Sequence, residues 1–504
     1  MATAESTPFE ALQHRPGSIA LSLVSHTNVG KTTLARTLLG RDIGEVRDAP
    51  HVTEFADVYT LLETPTGEAL QLWDTPGFGD SLRLVKRVRQ AGNPLGWFLS
   101  AVWDRWRDKP FWHSQQALRN VRDHSAVVLY LVNAAEEPQA AAYVASEMEL
   151  LGWTGKPVIV LLNQLGAPRE AALEDAEVRR WQSHLAPFGP VRAVLPLDAF
   201  ARCWVQEFAL FDAVQDALPE QNRARMGRLN AAWRARRLAT FDAAMDALAL
   251  SLARLAAGRV AVPEAGLRGR LRQVGSALGL GEAHASPTAA AEQALTGDLD
   301  AELRASTARL LALHGLAGEA QGEIITRLAT LFELRAKLDE GRAGLLGGAL
   351  TGALAGLKAD IASGGLTLGG GLLAGGLLGA LGGVALARGF NRIRDRDQSW
   401  LAWSPAALDG WVDAALLRYL AVAHFGRGRG DWAQGEAPPH WADVVRAALA
   451  PQREGFSAAW AARGERALDA AAHEALARVL KPLVTEAARD ALLRLYPATA
   501  GWDP

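Results

Sequence analysis

An α/β domain with a mostly parallel sheet and one antiparallel edge strand, followed by a mainly α-helical region, is the architecture this sequence predicts. Three observations carry that expectation. From Ser18 to about Leu218, short β-rich runs alternate with helical stretches, the pattern of a parallel sheet covered on both faces. Two of these runs are joined only by Pro65-Thr66-Gly67-Glu68, a connection so short that it permits nothing but an antiparallel hairpin. Beyond Pro219 the chain becomes rich in Ala, Leu and Arg, and strand signals disappear.

In chain order, the candidate strands are 18–24, 57–62, 69–73, 126–132, 157–162 and 190–195. Helical periodicity covers 221–257, 289–314, 320–340, 405–424 and 465–495. The predicted organisation is an N-terminal tail (1–17), an α/β domain (18–218) with an insertion (79–124), a helical region (219–340), a glycine-spaced hairpin (341–390) and a helical C-terminal region (391–504).

Composition narrows the function classes. The 504 residues carry 53 Lys+Arg against 55 Asp+Glu, a net charge of −2, with 49% hydrophobic and 21% charged residues. That balance argues against a chain disordered throughout and against one defined by bulk attraction to nucleic acid. Cys203 is the single cysteine, which excludes an intramolecular disulfide and a cysteine-based zinc cluster and points to a reducing, cytoplasmic setting. Glu5, Glu10, Arg15 and Pro16, followed by only a short apolar run at 19–24, do not read as a secretory signal.

The chemistry begins where the first strand ends. Ser25-His26-Thr27-Asn28-Val29-Gly30-Lys31-Thr32-Thr33 leads into a helix. A strand, a loop and a helix carrying Gly-Lys-Thr make a phosphate-binding loop: backbone N–H groups cradle phosphates at the helix N-terminus, Lys31 neutralises the β/γ oxygens, and the Thr32 hydroxyl binds Mg²⁺. The usual first glycine is replaced by Ser25, and a Gly-Lys-Thr turn alone also occurs without a nucleotide. Leu72-Trp73-Asp74-Thr75-Pro76-Gly77 ends the third strand. There Asp74 can hold the metal through water and the Gly77 N–H can reach a γ-phosphate; the competing reading is an ordinary Pro-Gly turn. Between them Thr53 lies in a polar loop, suited to completing the metal shell or to being only a loop residue.

These motifs resemble those of the Era/EngA-like branch of the translation-factor-related P-loop GTPases, which read Asn-x-Gly-Lys-[Ser/Thr] and Asp-Thr-Pro-Gly. The resemblance spans 18–218 and implies a Ras-like fold that binds GTP/GDP with Mg²⁺ and hydrolyses GTP as a switch. It implies Lys31, Thr53 and Gly77 as catalytic residues. Ser25, Asn28, Val29, Gly30, Lys31, Thr32, Thr33, Asp74, Gly77, Asn163 and Gln164 would contact the nucleotide, and Thr32, Thr53 and Asp74 the Mg²⁺. The fused arrangement is also similar to a bacterial family in which such a domain precedes an uncharacterised helical region.

Two departures from that pattern matter. The base-reading motif Asn-Lys-x-Asp is here Asn163-Gln164-Leu165-Gly166. Gly166 lacks the carboxylate that accepts the guanine N1–H and N2–H₂ pair, so selectivity over adenine should be weak; Asp198 is the candidate substitute. Phe78 stands where Ras-like enzymes place a water-orienting glutamine, so intrinsic hydrolysis should be slow. In related GTPases a potassium ion or a dimer partner supplies the missing charge, and Asn28 matches an asparagine that coordinates K⁺ in some of them. The resemblance thus admits a homodimer through the switch face. A non-hydrolysing nucleotide-binding scaffold or membrane adaptor, and an RNA-associated assembly GTPase, are the alternative functions.

Three further features bear on partners. The insertion mixes Trp97, Phe98, Trp103, Trp106, Phe111 and Trp112 with Arg105, Arg107 and Lys109; internal packing is the first reading, a protein or membrane contact the second, and nucleic acid the last. Glycine recurs every fourth residue at 344, 348, 352 and 356 and again at 371, 375, 379 and 383. Each costs a helix about 1 kcal/mol relative to alanine, a spacing that makes sense where helices pack at very close range. The uncharged run 361–387 exceeds the roughly 20 residues that span a bilayer, and Arg388, Arg392 and Arg394 follow it as a cytoplasmic flank would. Membrane insertion, or contact with an integral membrane partner at the cytoplasmic face of the inner membrane, is therefore expected through 344–387, against a buried hairpin in a soluble domain. Finally, Arg223, Arg225, Arg228, Arg234, Arg236 and Arg237 read first as a solvated face balanced by acids and only second as a contact for anionic lipid.

Overall fold

The computed structural model describes residues 17–27, 29–40, 57–89, 109–165, 170–199, 203–262, 289–316, 390–394, 399–424, 440–463 and 469–499. The chain divides into two compact units. The first comprises Met1–Ala239, Ala423–Gln434 and Leu495–Pro504; the second comprises Thr240–Val422 and Gly435–Arg494.

The first unit is built on a six-stranded sheet: β1 (Ser18–Ser25), β2 (Asp57–Glu63), β3 (Ala69–Asp74), β4 (Val127–Asn133), β5 (Val158–Asn163) and β6 (Val191–Pro196), in the order β2-β3-β1-β4-β5-β6. All neighbours are parallel except β2, which pairs antiparallel with β3. Burial follows position in the sheet. β3 and β5 are buried at every residue and β4 at all but its last, whereas the edge strands β2 and β6 are partly exposed. That is why the central strands read as continuous Val/Leu/Ile runs. The hairpin turns at Gly67, whose φ of +81° suits glycine, with the Gly67 N–H donating to the Thr64 carbonyl at 2.9 Å.

Around this sheet lie α1 (Lys31–Leu39), α2 (Ser81–Val88), α3 (Lys109–His124), α4 (Ala142–Gly152), α5 (Ala171–Leu185) and α6 (Gln206–Ala217). One core joins Leu84, Val85, Leu118, Val121, Val144 and Met148 to Val128, Tyr130, Val160 and Leu162 of the sheet. Because β1 lies between β3 and β4, successive connections leave it in opposite directions. Such a switch point opens a crevice beyond the carboxyl ends of the strands.

The long helix α7 (Glu220–Ala257) begins in the first unit and ends in the second. Its arginines meet acids: Arg223 pairs with Glu220, Arg228 with Glu68, Arg234 with Asp212 and Arg237 with Glu207. The balance of this helix by acids therefore stands, but its face is not solvated throughout, because Arg237 meets a buried carboxylate.

The second unit is mainly helical, with α8 (Ala289–Leu313), α9 (Pro405–Ala423, all but its last residue), α10 (His440–Leu449), α11 (Arg453–Ala462) and most of α12 (Ala470–Leu495). It corrects one expectation, because strands do not end with the first domain. β7 (Arg259–Val262), β8 (Phe390–Arg394) and β9 (Ser399–Trp403) form an antiparallel sheet in the order β7-β9-β8. Strands of four or five residues are too short to show a period, and β7 finds β9 across more than 130 residues of sequence, so local pattern could not reveal them. Within this unit Trp403 meets Trp411 edge-on at 5.8 Å, and the Trp460 Nε1–H donates to Asp409 at 2.9 Å. Among the described residues no helix is long and apolar enough to cross a membrane. The glycine-spaced tract 344–387, the predicted helix 320–340 and insertion residues 90–108 lie outside the described residues.

Candidate nucleotide site

The predicted phosphate loop forms at the carboxyl end of β1. Gly30 adopts φ +96°, and a Cβ there would stand 2.8 Å from Asn163 Nδ2, so both the backbone and the space require glycine. Asn163, the last residue of β5, braces the loop: its Nδ2 donates to the Val29 carbonyl at 2.6 Å, and its Oδ1 accepts the Ala199 N–H at 2.8 Å. Helix α1 starts at Lys31 with no side-chain cap and no acid in its first turn. Its leading N–H groups remain an anion-binding end. Thr33 is buried on this helix.

Lys31 is buried, and its Nζ donates to Ser25 Oγ at 3.1 Å; the Ser25 hydroxyl in turn donates to the His26 carbonyl. The serine that replaces the usual glycine thus gives the lysine a resting acceptor. Burial pulls the Lys31 ammonium below its ordinary pKa, opposed by the charges of Asp74 and Glu147. Thr32 Oγ1 donates to Asp74 Oδ2 at 2.6 Å. Asp74 is pushed up to about 6, chiefly by burial, against the Lys31 charge and the Thr32 hydrogen bond. Its other oxygen, Oδ1, is buried and has no hydrogen-bond partner. A threonine hydroxyl beside an unsatisfied carboxylate oxygen is a hard-oxygen donor set suited to Mg²⁺. Gly77 closes the group, since a Cβ there would lie 3.1 Å from Lys31 Nζ. The structure therefore brings Ser25, Gly30, Lys31, Thr32, Asp74 and Gly77 together. Asn28 and Thr53 lie outside the described residues.

Phe78 is completely buried in the core with Leu84, Val85 and Phe111. Its N–H donates to the Ser25 carbonyl at 2.9 Å, and it forms a parallel bridge with His26. The residue after the Asp-x-x-Gly motif is thus a packing residue that ties two loops together.

At the base end, Gln164 takes a positive φ of 58° directly after β5. The next N–H, from Leu165, donates to Asp198 Oδ2 at 2.6 Å. Asp198 is buried in the loop after β6, so the candidate substitute carboxylate has one oxygen engaged by the loop that carries Gln164. Gly166 lies outside the described residues.

One cluster escaped the sequence reading. His26 Nδ1 lies 2.7 Å from Glu147 Oε1, and Tyr130 donates its hydroxyl to Glu147 Oε2 at 2.6 Å. The His26 ring stacks on Tyr143 at 4.5 Å, and Tyr143 donates to Glu136 at 3.3 Å. Burial lowers the His26 pKa, but the hydrogen bond and charge of Glu147, with Glu136, leave it raised overall. The available signal was Glu147 itself, an acid among Val144, Met148, Leu150 and Leu151 on the buried part of α4.

Residues 189–481 match a family model described as a domain of unknown function (DUF3482), and residues 20–164 match the 50S ribosome-binding GTPase model. Among solved structures, Era in complex with MgGDPNP and nucleotides 1506–1542 of 16S ribosomal RNA aligns at 16% identity and a TM-score of 0.30, covering 40% of this chain and 58% of that one. An Aquifex aeolicus Era variant bound to GDP·AlF4− aligns at 18% identity and 0.30, with the same coverage. A bacterial selenocysteine-specific elongation factor, EF-Sec, aligns at 14% identity and 0.23, covering 35% of this chain and 25% of that one. The chain spans 58% of the length of either Era structure. No curated protein matches it.

Proposed function

From the membership of this chain in the DUF3482 family, with a P-loop GTPase domain of the Era type preceding the domain of unknown function, we propose that it is a GTP-operated switch. In this reading the N-terminal domain binds GTP, hydrolyses it slowly, and so controls the helical domain, which contacts a membrane through 344–387. The observation that carries the nucleotide part is the meeting of Lys31, Thr32, Asp74 and Gly77 beyond β1 and β3, at an uncapped helix N-terminus.

Phosphate oxygens take the place of Ser25 as acceptors for Lys31, while the first N–H groups of α1 hold the β-phosphate. Thr32 and Asp74 would hold Mg²⁺, which when bound screens the charge of the phosphate oxygens. The Gly77 N–H faces the γ-phosphate and senses its loss. Hydrolysis is attack by a water oxygen on the γ-phosphorus; the β–γ bridging oxygen leaves with GDP, and phosphate is released. The buried Phe78 orients no water, so the intrinsic rate is low, and K⁺ at Asn28 or a second copy of the chain is the candidate source of the missing positive charge. Guanine is preferred only weakly.

The test is a binding and hydrolysis screen with fluorescent GDP and ADP analogues, in K⁺ and in Na⁺, across protein concentrations. The expected result is tighter GDP than ADP binding, lost in Lys31→Ala, with turnover raised by K⁺ and by self-association. Equal or ADP-favoured binding overturns the guanine assignment. Bound GTP that survives a single-turnover assay in both salts replaces the switch with a non-hydrolysing scaffold. Salt-sensitive RNA binding would favour an assembly factor, a role to which a net charge of −2 lends little support.

A further inference from the structure

We propose that Glu147 and His26 are positioning residues for the phosphate loop: the buried carboxylate on α4 fixes the His26 ring, and through it the resting place of Lys31. This rests on the reading of 25–32 as a nucleotide loop.

Glu147 is 0% exposed. A carboxylate removed from water is costly unless hydrogen-bonded, and a leucine on this apolar helix face would avoid that cost. Instead the acid engages two groups from different elements, the Tyr130 hydroxyl on β4 at 2.6 Å and His26 Nδ1 in the loop at 2.7 Å. The ring is further confined by stacking on Tyr143. The histidine thereby connects the loop to α4, an element that contributes no phosphate-binding residue.

From His26 the constraint runs toward the phosphate position along two bonded routes. Its carbonyl accepts the Ser25 hydroxyl, which accepts Lys31 Nζ. Its backbone bridges to Phe78, the neighbour of Gly77, where an added Cβ would lie 3.1 Å from Lys31 Nζ. Releasing the ring would therefore loosen both the lysine and the γ-phosphate sensor. A loop held in its receiving shape before nucleotide arrives binds with less ordering cost. Affinity, more than the chemical step, should depend on Glu147.

The full chain carrying Glu147→Ala, Glu147→Gln, His26→Ala or both alanines would be compared in fluorescent GDP dissociation and steady-state GTP turnover. Glu147→Ala and His26→Ala should each speed GDP release about tenfold and raise KM similarly, with kcat within threefold. Glu147→Gln, whose amide oxygen accepts from His26 and whose amide N–H donates to Tyr130, should recover most of the affinity. The double variant should be no worse than the more affected single one, since both act through one contact. Unchanged release in a folded variant, or fully additive losses, would overturn the proposal. Should Glu147→Ala fail to fold, Tyr130→Phe removes one bond to the carboxylate and should give a smaller shift in the same direction; no shift would count against the proposal. If the wild-type chain binds no nucleotide, the functional reading fails by itself, and amide exchange of the nucleotide-free chain still decides. Faster exchange across 25–33 in Glu147→Ala, with 158–163 unaffected, supports the positioning role, and unaltered exchange across 25–33 refutes it.

Discussion

Asp74 concentrates the chemistry of the site in one side chain. Its Oδ2 accepts from Thr32, while its Oδ1 is buried without a partner, and burial pushes its pKa up to about 6. Because the folded value exceeds the ordinary carboxylate value of 3.8, the native state holds the proton more tightly than the unfolded chain does. The associated stability is fully present below pH 3.8 and is lost as pH rises through about 6. At neutral pH the nucleotide-free chain therefore carries a buried charge that Lys31 and Thr32 offset only in part, a deficit on the order of 1–3 kcal/mol. Asp74→Asn should raise the melting temperature of the nucleotide-free chain at pH 7 and make little difference at pH 4, while reducing Mg²⁺-dependent nucleotide affinity at least tenfold. A variant that melts lower than wild type at pH 7, or that keeps Mg²⁺-dependent binding, would remove Asp74 from the metal role.

The contact between α6 and α7 shows how the environment decides what an arginine contributes. Arg237 donates from Nε and Nη2 to Glu207, and the Trp233 Nε1–H donates to the same carboxylate, which is 0% exposed. Arg223, on the same helix, meets Glu220 in solvent. Arg237→Ala takes a bidentate charged partner from a buried acid and should cost about 3 kcal/mol. Arg223→Ala, which also gives up donation to the Leu218 and Asp216 carbonyls, should cost about 1 kcal/mol. Chemical denaturation of the two variants checks the ratio, and equal effects would deny Glu207 its buried character. The sequence displayed all six arginines but not this difference, because Glu207 and Glu220 look alike until the fold hides one of them. The same limit explains the other gaps. Lys31, Thr32, Asp74 and Gly77 were legible because each motif sits at the end of a strand whose apolar run is unmistakable. His26 and Glu147 were not, because their meeting joins residues 121 positions apart. β7–β9 was hidden by strands of only four or five residues.

For the whole molecule, the question is what the helical domain does with the glycine-spaced tract. The run 361–387 carries no charge, and β8 begins at Phe390, three residues later. Arg392 and Arg394, read from sequence as a cytoplasmic flank, are paired within the sheet opposite Leu401 and Ser399. A tract that enters a bilayer would therefore bring the edge of that sheet to the lipid surface. The drive for insertion is weak residue by residue, since glycine buries little apolar area, so attachment should depend on the intact length of the tract. Deletion of 344–387 should move the chain from liposomes of phosphatidylglycerol and phosphatidylethanolamine to the soluble fraction on flotation, while retained GDP binding verifies that the first unit is folded. If the full-length chain and the deletion variant both stay soluble without detergent, the tract is an internal helical hairpin and the membrane role falls, leaving the nucleotide site untouched.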